Sequence, residues 1–185
     1  RFEISMPFVG ISDHLFLLKF HAILSNNFQV IDMNPQQQNV EIATLIQQHD
    51  IVLFDAICVL CNGWAKFLLR HDTASRFKLA SVQSPLGQEI LKYYQMPTDH
   101  FDTMLVIKNG QLFTESTATL KVIEELGFPF SSFKIGYLIP KFLRDFLYRR
   151  IALNRYTLFG TTDHCLLPSK ENRQHFLENI IYDNA

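Results

Sequence analysis

Apolar residues change their spacing several times along this chain, and each change marks an element. The unbroken run Ile51-Val52-Leu53-Phe54 predicts a short strand covered on both faces of a sheet. In "CNGWAKFLLRHD", which follows, Trp64, Phe67 and Leu68 share one side while Lys66 and Arg70 fall on the other, so a helix is expected. "FKLAS" reads as a second strand, and "SPLGQEILKYY" as a short helix with Ser84 as N-cap and Pro85 at its first position. In "TMLVIKNGQLFTE" two strand-like runs flank Asn109-Gly110, a dipeptide preferred in tight hairpin turns. "STATLKVIEELG" predicts a helix closed by Gly127, and the chain after Pro140, "KFLRDFLYRRIALNRY", predicts another. "LFGTTDHCLLP" is turn-rich.

The predicted order is therefore β-α-β-α-β-β-α. A β-α-β opening requires parallel strands joined by a helical crossover, whereas the Asn-Gly hairpin requires an antiparallel pair. The expected fold is α/β, a thioredoxin-like mixed sheet flanked by helices, with extra helices at the C-terminal end. Residues 1–50 differ. They hold two strand candidates, "FEISMPFVG" and "FQVIDM", an apolar helical stretch "SDHLFLLKFHAIL", a linker-like "NPQQQN" and a helically spaced "VEIATLIQQHD". The expected organisation is an N-terminal extension of unassigned fold over 1–50 and a thioredoxin-like domain over 51–185.

Composition narrows the partners more than the fold. With 48% hydrophobic and 19% charged residues the 185-residue chain is globular, and long enough to bury a core without disulfide staples. A net charge of −1 supplies no general attraction to nucleic acid or to a membrane surface. The longest apolar stretch is broken by Lys19 and by histidines, short of the ~20 apolar residues of a membrane-spanning helix. Three cysteines make no disulfide framework; such sparing use suits a reducing, cytoplasmic setting, where a close pair is more often catalytic or metal-binding.

Cys58 and Cys61 sit where the first strand gives way to the first helix. Redox chemistry, a metal half-site and plain core packing are the three readings. At a helix N-terminus unpaired N–H groups and the positive end of the macrodipole favour a thiolate at Cys58, and Cys61, one turn on along the same face, can attack a mixed disulfide formed there. Cys58 is then the nucleophile and Cys61 the resolving thiol. A zinc site would need further ligands, for which Cys165 beside His164 is the only local candidate, and no metal is expected. No organic cofactor is required either, since the pair itself carries the electrons.

"VLFDAICVLCNGWAKFLLRHD" resembles the opening motif of the DCC family of predicted thiol-disulfide oxidoreductases, with Asp55, Cys58 and Cys61 at the three name-giving positions. The family's second block, Arg-Tyr-x-x-Phe-Gly followed by an acidic residue and a cysteine, is matched by Arg155, Tyr156, Phe159, Gly160, Asp163 and Cys165. The resemblance covers roughly 51–168 and implies a thioredoxin-like fold with a redox-active pair. Ala56 departs from the usual glycine after the aspartate; alanine resists positive φ, so either that position has ordinary backbone angles or the loop is shifted.

Five other positions are candidates. Asp55 is a general base for Cys61 or a cap of the turn before the helix, the second being the commoner use. Arg155 can supply an anion site beside the cysteines for a carboxylate-bearing thiol such as glutathione. Asp102 stands about where thioredoxins carry a cis-proline, which argues against general peptide docking; with its neighbour Thr103 it is counted among substrate-facing residues. Cys165 is a third thiol, a metal ligand or a small buried hydrophobe. The expected activity is thiol-disulfide exchange with a protein or small thiol; the alternative is a non-catalytic metal- or protein-binding module using Cys58, Cys61 and Cys165.

Overall fold

A computed structural model of the chain describes residues 35–162 and 171–177. The chain divides into two compact units, residues 1–38 and 39–185, and of the first only 35–38 are described. The strand and helix candidates before residue 35, and Cys165 with His164, lie outside the described residues.

Helix α1 spans Pro35–Gln48, so "NPQQQN", expected as a linker, instead opens a helix from its proline onward. Proline at the start of a helix costs nothing, because the N–H it lacks would have no intrahelical partner there. Strand β1 (Asp50–Phe54) then leads through the Cys58 turn into α2 (Val59–His71), followed by β2 (Phe77–Ser81) and α3 (Pro85–Tyr93). A hairpin of β3 (Leu105–Lys108) and β4 (Gln111–Thr114) precedes α4 (Glu115–Glu125). A 3-10 stretch over Phe130–Leu138 connects to α5 (Lys141–Ala152) and the short α6 (Arg155–Phe159).

The sheet order is β2-β1-β3-β4, with β1 parallel to β2 and antiparallel to β3, and β3 antiparallel to β4. This is the expected thioredoxin-like arrangement. Asn109 and Gly110 both have positive φ, 49° and 72°, the geometry that lets a two-residue turn follow the twist of its strands. Ser84 caps α3 by accepting from the Gly87 N–H at 3.1 Å, with Pro85 at the helix start.

The unbroken apolar run of β1 has its cause in the layers. Ile51 and Leu53 face one core with Ile42 and Ile46 of α1 and Ile90 and Leu91 of α3. Val52 and Phe54 face the other, with Ala65 and Leu68 of α2 and Ala118 and Val122 of α4. Both sides of the strand are dry, so neither tolerates a polar residue. Residues 171–177 return to β2, where Phe176 pairs beside Leu79 and Leu177 is fully buried.

Gly87 marks the tightest approach in this frame, since a Cβ there would lie 2.0 Å from the Ser81 carbonyl oxygen. Gly87→Ala is therefore expected to cost about 2 kcal/mol in spite of alanine's better helix propensity. Urea unfolding would show it as a lower midpoint with an unchanged slope, and an unchanged midpoint would refute the close contact.

Candidate redox site

The site is assembled where β1 ends. Cys58 is the N-cap of α2, with extended backbone (φ −82°, ψ 125°), and its sulfur accepts from the Cys61 N–H at 3.5 Å. A sulfur in this position does the work that Ser or Asp does at other helix starts, satisfying a backbone donor with no intrahelical partner. Cys61 follows one turn later on the same side. Both cysteines are free; Cys58 is fully buried and Cys61 only partly so. Burial, then the hydrogen bond and charge of Cys58, push the Cys61 thiol up to about 12, opposed by the positive charge of Arg155.

Asp55 is the hub beside the pair. Its Oδ1 accepts from the Ile57 N–H at 3.1 Å and from Gln83 Nε2 at 2.7 Å. Its Oδ2 accepts from Arg155 Nη2 at 3.1 Å and from the Tyr156 hydroxyl. Burial alone would raise this carboxyl's pKa, but the hydrogen bonds from Tyr156, Gln83, Arg155 and Ile57 outweigh it and hold the group below its ordinary value. Gln83 in turn accepts from the Ala56 N–H at 3.0 Å. Ala56 has no positive φ, so of the two options for this position the ordinary backbone holds.

Arg155 is buried and fully occupied on its terminal nitrogens: Nη1 donates to the Ala152 carbonyl at 3.1 Å, and Nη2 to Asp55, the Phe101 carbonyl and the Tyr156 oxygen. The chain after α6 pairs with the backbone around Cys58. The Val59 N–H donates to the Gly160 carbonyl at 3.3 Å, Thr161 pairs with Cys58, and the Thr162 N–H donates to the Ile57 carbonyl at 2.9 Å. Gly160 makes this turn with φ 82°, open to glycine and strained for other residues. Two sequence blocks about a hundred residues apart thus meet through a buried ion pair and a short backbone ladder.

Residues 52–161 match the family model described as DCC1-like thiol-disulfide oxidoreductase. The chain belongs to this family. It is 41% identical over 127 residues to the uncharacterized protein YuxK of Bacillus subtilis (strain 168), an alignment covering 69% of this chain and 93% of that protein. A chloroplastic DCC family protein of Arabidopsis thaliana is 36% identical over 119 residues, covering 63% of this chain and 69% of its own length. No solved structure gives a match of comparable significance.

In this DCC-family chain Asp102 and Thr103, the remaining candidates among the described residues, line a cavity of about 260 Å³ next to the cysteines. Its wall includes Cys61 and Leu60 from α2, Asp102, Thr103 and Met104 from the loop before β3, Tyr148 and Ile151 from α5, and Arg155. Cys58 is not part of it. Asp102 is exposed and stands at the rim, while Thr103 is tied inward: its hydroxyl donates to Tyr148 Oη at 3.0 Å and accepts from the Glu115 N–H at 3.1 Å. Met104 N–H also donates to Tyr148 Oη, at 3.1 Å.

Tyr148 and Gln83 are site residues that the sequence did not single out. Tyr148 sits in a helix whose period marks it only as one more aromatic, and Gln83 in a loop with no motif. Among the described residues no three His, Cys, Asp or Glu side chains cluster closely enough to hold a metal ion, and no helix is long and apolar enough to cross a membrane.

Proposed function

We propose that the chain carries out thiol-disulfide exchange, with Cys58 and Cys61 alternating between dithiol and disulfide and no bound cofactor. The observation that carries this reading is the Cys58 sulfur capping α2 with the Cys61 amide donating to it, which sets the two sulfurs one turn apart at the positive end of a helix. Family membership points the same way. Burial and the neighbouring Cys58 push the Cys61 thiol up to about 12, so the two sulfurs of the pair are not equivalent. Substrates are thiols or disulfides, and a reducing compartment such as the cytoplasm suits the sparing use of cysteine.

Asp55 is a positioning residue in this reading rather than a base. A carboxylate already accepting from two side-chain donors, an arginine and a backbone N–H has little remaining affinity for a thiol proton. The test is equilibration of the full chain in redox buffers of graded potential, read by thiol alkylation and mass. A single two-electron transition is expected, absent in both Cys58→Ser and Cys61→Ser. A wild-type pair that never oxidises across that range would end the proposal.

A further inference from the structure

Burial and the cavity assign the two sulfurs different access. Cys58 is 0% exposed, roofed by the Gly160–Thr162 segment that pairs with its own backbone, while Cys61 forms part of the cavity wall. A substrate sulfur must approach along the line of the bond it breaks, so it reaches the sulfur that faces open space. The cavity's chemistry is equally specific. Its cation, Arg155, is already neutralised by Asp55, and the charge left over at the rim is the carboxylate of Asp102. The rest of the wall is mainly apolar, from Leu60, Met104, Ile151 and Ala152.

Two further observations bear on the occupant. The loop backbone that would dock an extended peptide is already used, since the Phe101 carbonyl accepts from Arg155 and the Met104 N–H donates to Tyr148. At about 260 Å³ the space lies below the ~300–1,000 Å³ usual for drug-sized ligands, so it suits a small molecule.

We infer that the cavity beside Cys61 is the substrate site, that it takes small uncharged thiols and their disulfides rather than glutathione, and that Cys61 is the sulfur they meet. The inference rests on the exchange reading above and turns around the order of attack expected from the sequence. In the oxidised protein a substrate thiol loses its proton to solvent and its sulfur attacks the Cys61 sulfur. The Cys58–Cys61 bond breaks, a substrate–Cys61 bond forms, and Cys58 departs with the electron pair at the N-terminus of α2. A second substrate thiol attacks the substrate sulfur of that mixed disulfide, releasing the substrate disulfide and the reduced pair. Two thiols are oxidised and one protein disulfide is reduced, and the reverse sequence reduces a small disulfide.

The experiment uses full-length Cys58→Ser and Cys61→Ser, each treated with bis(2-hydroxyethyl) disulfide or with oxidised glutathione and followed by intact mass and peptide mapping. The reactions are run at about pH 9, which favours the thiolate. Cys58→Ser also removes the hydrogen bond and charge of Cys58 that help hold the Cys61 thiol up. It is expected to trap the hydroxyethyl adduct on Cys61, at least about tenfold faster than the glutathione adduct, while Cys61→Ser traps little on Cys58. Wild-type oxidation of 2-mercaptoethanol should likewise outpace that of glutathione, and Asp102→Asn should narrow the difference. Adducts on Cys58 rather than Cys61, or glutathione reacting as fast as the neutral disulfide, would overturn the inference while leaving the exchange reading intact. A wild-type protein that equilibrates with neither couple removes the exchange reading itself.

Discussion

Arg155→Leu is expected to destabilise the protein by about 3–5 kcal/mol, lowering its melting temperature by on the order of 10 °C. The side chains of Arg155 and Asp55 are 6% and 4% exposed, so removing the guanidinium strands a carboxylate where water cannot reach it. It also leaves the Ala152 and Phe101 carbonyls without their donor and loosens one wall of the Cys61 cavity. Adding Asp55→Asn to Arg155→Leu should recover part of the loss, because the stranded charge disappears with it; the double-mutant cycle measures that coupling. Arg155→Lys should rescue poorly, since one ammonium cannot span Asp55, Phe101 and Ala152 together. Thermal unfolding followed by circular dichroism checks the series, and an Arg155→Leu variant as stable as the parent would show that the pair is dispensable.

Acid should weaken the fold in a defined window. Asp55 and Glu125 are held below their ordinary carboxyl values, and Asp145 is lowered to about 2. For Asp145 burial acts upward and is outweighed by the hydrogen bonds from Lys141, at 2.5 Å, and Ser116. A carboxyl with a lower pKa folded than unfolded binds fewer protons in the native state. Its stabilisation is present above the unfolded value of about 4 and is lost as pH falls through the folded value. From neutral pH down to about 5 these carboxylates add no slope and only the lowered His49 and His175 weaken the fold gently; stability should then fall steeply toward pH 2, by up to ~1.4 kcal/mol per pH unit for each carboxylate titrating. Because Asp145 ties α5 to Ser116 of α4, its protonation loosens the helix that carries Tyr148. Asp145→Asn should flatten the acid limb in urea titrations at pH 2–7. A parent curve with no slope below pH 4 would contradict the hydrogen-bonded carboxylates.

The strand run 51–54, the helix behind it, the Ser84-Pro85 start and the Asn109-Gly110 hairpin were legible because each depends on neighbours along the chain. Periodicity, a cap and a turn dipeptide are local devices, and the structure realises all of them. The linker expected at "NPQQQN" failed for a local reason too: proline followed by glutamines is as good a first helical turn as it is a loop, and burial of Ile42 and Ile46 decides for the helix.

The chemistry divides along the same line. Where the sulfurs sit on α2 follows from four consecutive residues, and sequence alone determined it. That Asp55 accepts from Arg155 and Tyr156, and that Cys58 is buried beside Thr161 while Cys61 lines a cavity, depends on partners far along the chain. Hydrogen-bond saturation and solvent access are properties of surroundings, and those surroundings come into being only when α5, α6 and the Gly160 turn fold back over the start of α2.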